Sequence, residues 1–194
     1  GIDLDHFVPV EKRDEVFRVM AVSSIDPRKG IHDLLEGFEL AALPNAELVI
    51  IGGTGDSWSK QLMARYRSRL PNLTVRAADI MSRPVAETFG SASVLVHAAV
   101  EDGYGLVVPQ ALAAGRPVIV TRTSGAAELV THGTNGFVID ARKPQAIADA
   151  LRQLAEDRAL WQRMCGASRQ AVAELSYVTF ERKVAALYRQ VLGR

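Results

Sequence analysis

The chain has 194 residues but only one cysteine, Cys165. No disulfide can form within it, which suits a reducing, cytoplasmic setting. Cys165 lies in "WQRMCGASRQ" with no histidine nearby to activate it, so it reads as a structural or surface thiol rather than a nucleophile. No apolar run approaches the roughly 20 residues of a membrane span. The first residues, "GIDLDHFVPV", have neither the basic head nor the long apolar stretch of a signal peptide. An initiating methionine is absent too, as expected of a piece of something longer. An excess of one charge is also missing: 23 Lys and Arg face 22 Asp and Glu. There is no whole-molecule field to gather nucleic acid or an anionic membrane, so any anionic ligand must be held locally.

Metal chemistry finds little support. The four histidines are scattered without zinc spacing. Asp3 and Asp5 are an acid pair, but they precede the first strand rather than ending one, and no metal site is expected. The glycine-rich loop "GGTG" is not a full dinucleotide fingerprint, and the Gly-Lys-Ser/Thr phosphate loop is absent. There is no internal repeat, low-complexity tract or flexible linker. Residues 1–194 read as one domain.

What is present is a set of apolar runs at strand length. "VFRVMAVSS", "AELVIIGG", "LTVRA", "SVLVHAA", "RPVIVT" and "GFVID" are continuous rather than alternating, and amphipathic helical patterns separate them. Both facts predict an α/β fold: a Rossmann-like, doubly wound parallel sheet of about six strands, with helices on both faces. From Lys143 the pattern is helical almost to the end, broken near Asp157 and at Leu175–Ser176, which predicts a helical tail.

In an open parallel sheet, ligands bind beyond the carboxyl ends of the strands. The unusual residues concentrate in those loops: "DPRKG", "GGTGDS", "ADIMS", "EDGYG" and "RTSGAAE". Lys29 is placed to act as a point charge on phosphate, or is part of a solvated basic loop with Arg28. Gly103 and Gly105 precede a helix placed to begin near Leu106, with Pro109 in its first turn and Gly115 and Pro117 ending it. Such a start offers unpaired N–H groups to an anion; the alternative is a tight turn that needs glycine for its dihedrals. His97, at the end of the fourth strand, either faces the site or is a satisfied near-core residue.

Together these segments resemble the donor-binding half of the GT-B glycosyltransferases, specifically glycosyltransferase family 4. "GIDLDHF" resembles N-G-V-D-x-x-x-F, "IDPRKG" the R-x-x-x-x-K-G loop, and "ELVIIGGTG" the L-x-I-x-G-x-G strand end. "EDGYGLVVPQALAAGRPVIVT" is similar to E-G-F-G-L-x-x-x-E-A-M-A-x-G-x-P-V-V, and "SGAAELVTHGTNGFVI" to G-G-x-x-E-x-V-x-x-G-x-x-G-x-L-V. The resemblance spans nearly the whole chain in order.

It implies a retaining transferase, of hexosyltransferase type, that takes a UDP- or GDP-sugar without a required metal or other cofactor. By resemblance, Lys29 holds the diphosphate. The backbone at Gly103, Tyr104, Gly105, Leu106 and Val107 caps the phosphates. Asp102 contacts hydroxyls of the transferred sugar, and Gln110 those of the ribose. Gly53 and Glu128 complete the donor site. A glycan, lipid-linked or small-molecule acceptor would sit on an N-terminal domain absent from this chain, so the isolated chain is expected to bind donor and transfer little. The implied enzyme is cytoplasmic, with a peripheral membrane contact left open, and no nucleic acid partner is expected.

Three departures from the family pattern stand out. Ser24 occupies the place of the arginine in R-x-x-x-x-K-G, with Arg28 or Arg122 as candidate replacements. Gln110 replaces a carboxylate and bonds more weakly as a neutral acceptor. Asp102 is one methylene shorter than glutamate, and Glu101 stands beside it. The rival readings are half of a nucleotide-sugar epimerase and a non-catalytic nucleotide-binding module.

Overall fold

Each apolar run becomes a strand, trimmed at its ends where the chain turns toward solvent. The computed structural model describes residues 1–12, 14–53, 55–76 and 85–193. In chain order the elements are β1 (Phe17–Val22), α1 (Ile31–Ala41), β2 (Ala46–Ile51), α2 (Ser57–Arg67), β3 (Leu73–Arg76), α3 (Val85–Gly90), β4 (Val94–His97), α4 (Val107–Ala113), β5 (Val118–Thr121) and β6 (Gly136–Ile139). Three helices close the chain: α5 (Pro144–Glu156), α6 (Arg158–Gln170) and α7 (Tyr177–Leu192). All strand pairs are parallel, in the order β3-β2-β1-β4-β5-β6.

Continuous apolar runs are needed because both sheet faces are buried. Val19 and Ala21 of β1 pack with Leu48, Ile50, Val94 and Ile119 under α1 and α5. Their alternates Met20 and Val22 face the other way, with Val49, Leu95, Val118 and Val120, against Phe89, Leu112 and the N-terminal Phe7. Period-two alternation thus divides one run between two cores. On the first face, Gly37 lets α1 and α5 approach closely, since a Cβ there would fall 2.7 Å from Ile147 Cβ.

The predicted helix boundaries shift by small amounts. The helix expected from Leu106 begins at Val107, with Leu106 as its N-cap. Gly115, at φ +71°, lies just past the C-cap Ala114. The tail breaks where expected: Asp157 caps α6, its side chain accepting from Leu160 N, and Ser176 caps α7 by accepting from Thr179 N.

The N-terminal segment is tied down rather than loose. Asp3 Oδ1 accepts from the backbone N–H groups of Asp5 and His6, both at 3.0 Å, which gives that carboxylate a turn-forming role. Arg169 of α6 donates to the carbonyls of Leu4, Phe7 and Ala113. One side chain therefore joins the N-terminal segment to the last turn of α4.

Candidate functional site at the switch point

Strand order reverses between β1 and β4, which leaves a crevice beyond their carboxyl ends. Backbone bonds draw the two loops there together. Arg28 O accepts from Val100 N at 2.7 Å and from Glu101 N at 3.4 Å. Gly30, at φ +62°, lies so close to β4 that a Cβ would come 1.9 Å from Ala98 O. Only glycine fits there, and its contact places Lys29, at the end of a single helical turn (Pro27–Lys29), against the β4 loop.

The third wall follows β5. Thr121 and Thr123 both donate to Ala99 O, at 2.6 and 2.7 Å. Ser124 Oγ and Ala126 N both bond to Tyr104 O, at 2.8 and 2.7 Å. Asp102 bridges to Ser124. These bonds hold "EDGYG" in a fixed turn.

Lys29 and Asp102, 73 positions apart in sequence, meet at the centre: Nζ lies 2.7 Å from Oδ2. The same Oδ2 lies 3.1 Å from His97 Nε2. Burial would lift the Asp102 carboxyl, but the hydrogen bond and charge of Lys29, with help from His97 and the Tyr104 N–H, hold it below its usual value. His97 is buried, and burial lowers its pKa against the opposing pull of Asp102. The imidazole is therefore neutral near pH 7.

A cavity of about 390 Å³ opens beside this cluster, lined by Val22, Ser23, Lys29, His97, Asp102, Tyr104, Gly105, Leu106 and Val107. This is in the size range of small-molecule sites. Among the described residues, no backbone acceptor takes the N–H of Leu106 or Val107. The cavity thus carries a cation, two helix-start donors and a carboxylate, a set suited to an anion joined to a polyol.

Not every sequence-predicted residue lines this cavity. Gln110 is half-buried and lies one turn along α4 from Val107, on the same face. Glu128 is exposed in the turn Gly125–Leu129, where its charge adds to burial in raising the Tyr104 hydroxyl. Ser24 bonds to Asp26 Oδ2 at 2.8 Å. Gly53 is exposed and its carbonyl accepts from Ile25 N at 3.3 Å. Neither Arg28 nor Arg122 reaches the cavity lining; Arg28 is mostly exposed and Arg122 pairs with Asp140. The loop "ADIMS" lies outside the described residues.

The two glycines of "EDGYG" have different reasons. A Cβ at Gly103 would meet nothing within 4 Å, so a ligand has room to approach. Gly105 sits at φ +86°, and a Cβ there would fall 2.7 Å from Ser124 Oγ and 2.8 Å from His97 Nε2. That glycine is required by the protein's own packing. Sequence reasoning missed the role of Gly30, and read Gly52 only as part of the "GGTG" loop, although a Cβ there would strike Ser23 O at 1.8 Å. It also left His97 undecided. Gly30 ends the "DPRKG" loop, but its close approach to β4 is a tertiary fact.

Known proteins share this fold. The profile of glycosyl transferases group 1 matches residues 4–171. A GDP-mannose-dependent alpha-mannosyltransferase of Mycobacterium tuberculosis is 30% identical over 100% of this chain and 50% of its own length. A D-inositol 3-phosphate glycosyltransferase of Streptomyces avermitilis is 35% identical over 84% of this chain and 40% of its own. Among solved structures, Anabaena HepE in complex with UDP superposes with a TM-score of 0.84 at 21% identity, over 98% of this chain and 56% of that one. The C-terminal domain of the group 1 protein LpcC from Francisella tularensis gives 0.78 at 21% identity, covering 91% of this chain and 100% of that one. The chain spans about half the length of the curated relatives it matches. Five motifs in register, the Rossmann-like sheet with its switch-point cavity, and the profile match agree: the chain belongs to the glycosyl transferases group 1 family, as a domain with the fold of one GT-B half.

Proposed function

We propose that this chain is the donor-binding domain of a retaining glycosyltransferase that takes a nucleoside-diphosphate sugar. The observation that carries the reading is the meeting of Lys29 and Asp102 beside the free N–H groups of Leu106 and Val107. When the sugar–phosphate bond breaks, its electron pair stays on the diphosphate while the sugar carbon becomes oxocarbenium-like. A lysine and preorganised N–H groups then act where negative charge grows, and removing one such donor typically lowers kcat by about 10²–10³-fold. Lys29 serves the diphosphate, Asp102 the transferred sugar, and Gln110 the ribose, with Ser24, Gly53 and Glu128 at the periphery. The lysine and the helix start supply the positive potential, so no metal or other cofactor is assigned.

The Mycobacterium tuberculosis relative is GDP-mannose-dependent, and HepE was solved in complex with UDP, so both UDP- and GDP-sugars are candidate donors. The relatives reported above are transferases by name, which leaves the epimerase alternative without support. The acceptor, a glycan, lipid-linked molecule or small molecule, belongs to a second domain. Support for such a domain comes from α7. Tyr177, Phe180, Val184, Leu187, Tyr188 and Val191 recur with helical period on one face. Five of them are more than half exposed, Tyr188 by 63% and Val191 by 73%. A second domain would cover that stripe, and the relatives are long enough beyond the match to hold one.

Calorimetry of this chain with UDP, GDP and their sugar conjugates tests the reading. Binding of at least one is expected, with loss of about tenfold or more in Lys29→Ala. No heat and no thermal shift across the panel would refute it.

A further inference from the structure

His97 is the one buried titratable side chain in the cavity lining to which the roles above assign nothing. It ends β4, paired in register with Val120, and its ring lies under Gly105, where the absence of a Cβ makes room for it. Its Nε2 is 3.1 Å from Asp102 Oδ2, yet it is not aligned for a good hydrogen bond. That oxygen is already occupied by Lys29 Nζ at 2.7 Å. The arrangement is therefore a carboxylate with one engaged donor and one donor in reserve.

We propose that His97 is a positioning residue that takes over Asp102 when Lys29 turns to the donor diphosphate. This rests on the nucleotide-sugar reading above. Lys29 cannot serve both anions fully. A diphosphate carries more charge than one carboxylate and draws the lysine away. Asp102 would then be left partly buried without its cation, an expensive state for a carboxylate. A neutral imidazole that donates from Nε2 keeps Asp102 ionised and aimed at the sugar, without adding a charge that would compete with the lysine. The charged groups that act on His97 are Asp102 and Lys29.

The consequence is selective. His97 matters for holding a sugar, and matters little for a diphosphate without one. In His97→Leu the affinity for nucleoside diphosphate stays near wild type, while the preference for the sugar conjugate falls by about tenfold or more, the scale of a hydrogen bond to a charged group. His97→Gln, which keeps a donor, recovers most of the preference. Independently of any nucleotide, Asp102→Asn shifts the His97 titration in an NMR pH series to lower pH, because the carboxylate that favours the imidazolium is gone.

A sugar preference in His97→Leu equal to wild type overturns the proposal. So does a His97 titration unmoved by Asp102→Asn. If the wild-type chain binds no nucleotide at all, the donor reading fails instead, and the NMR series still decides whether His97 and Asp102 are coupled.

Discussion

Gly105 shows how a single residue can carry two meanings. Its glycine reads as clearance for a phosphate, but the structure shows that His97, Ser124 and a φ of +86° already demand it. Gly105→Ala is therefore expected to lower stability by about 1 kcal/mol or more, measured as a fall in thermal midpoint without ligand. An unchanged midpoint would mean that the turn relaxes freely. Cys165 behaves as the lone thiol suggested. Burial, opposed by Arg116, pushes its pKa up to about 11 from an ordinary 9.0. The folded value lies above the unfolded one, so the thiol's contribution is fully present below about pH 9 and lost as pH rises toward 11. Chemical denaturation from pH 8 to 11 should show that decline, and Cys165→Ser should flatten it. Alkylation of the folded chain at pH 8 should be slow and become fast in denaturant.

At the scale of elements, α4 is short and depends on its neighbours. Its seven residues are too few for a stable helix alone, and its N-cap Leu106 makes no side-chain capping bond. Arg169 of α6 completes the other end by donating to Ala113 O at 2.9 Å, while also holding Phe7 O and Leu4 O. Arg169→Ala leaves those carbonyls short of a partner and should cost roughly 2–3 kcal/mol. The urea midpoint should fall with the slope unchanged. A midpoint within error of wild type would show that water replaces the guanidinium.

For the molecule as a whole, the telling feature is the uncovered face of α7. The helix is joined to the rest at its start, where Tyr177 N bonds to Ile2 O at 3.2 Å and Ile2 N to Leu175 O at 2.8 Å. None of its residues is buried. Leu187→Glu combined with Val191→Glu should leave the thermal midpoint of this chain almost unchanged, since exposed substitutions stay within about 0.5 kcal/mol. In a polypeptide that carries the proposed second domain, the same pair should lower the midpoint clearly. A loss in the chain alone would mean that the stripe is already packed; no loss in the longer protein would remove it as the interface. No described helix is long and apolar enough to cross a membrane.

The sequence alone determined the sheet and its direction. Runs such as "AELVIIGG" and "SVLVHAA" are apolar without alternation, which only a sheet buried on both faces requires. The breaks near Asp157 and Leu175–Ser176 and the glycine at 115 marked element ends, because those signals are local. The loops that carry the candidate site were legible for the same reason: glycine, acid and lysine collect where strands end. Which of those residues meet was not legible. Lys29 and Asp102 come together only because β1 and β4 are neighbours at the point where strand order reverses. His97 could not be assigned from its neighbours in sequence, since its surroundings, Gly105 and Asp102, are set by how the β4 loop folds back over the strand. Contacts across the switch point depend on packing and distance, and these exist only once the sheet has formed.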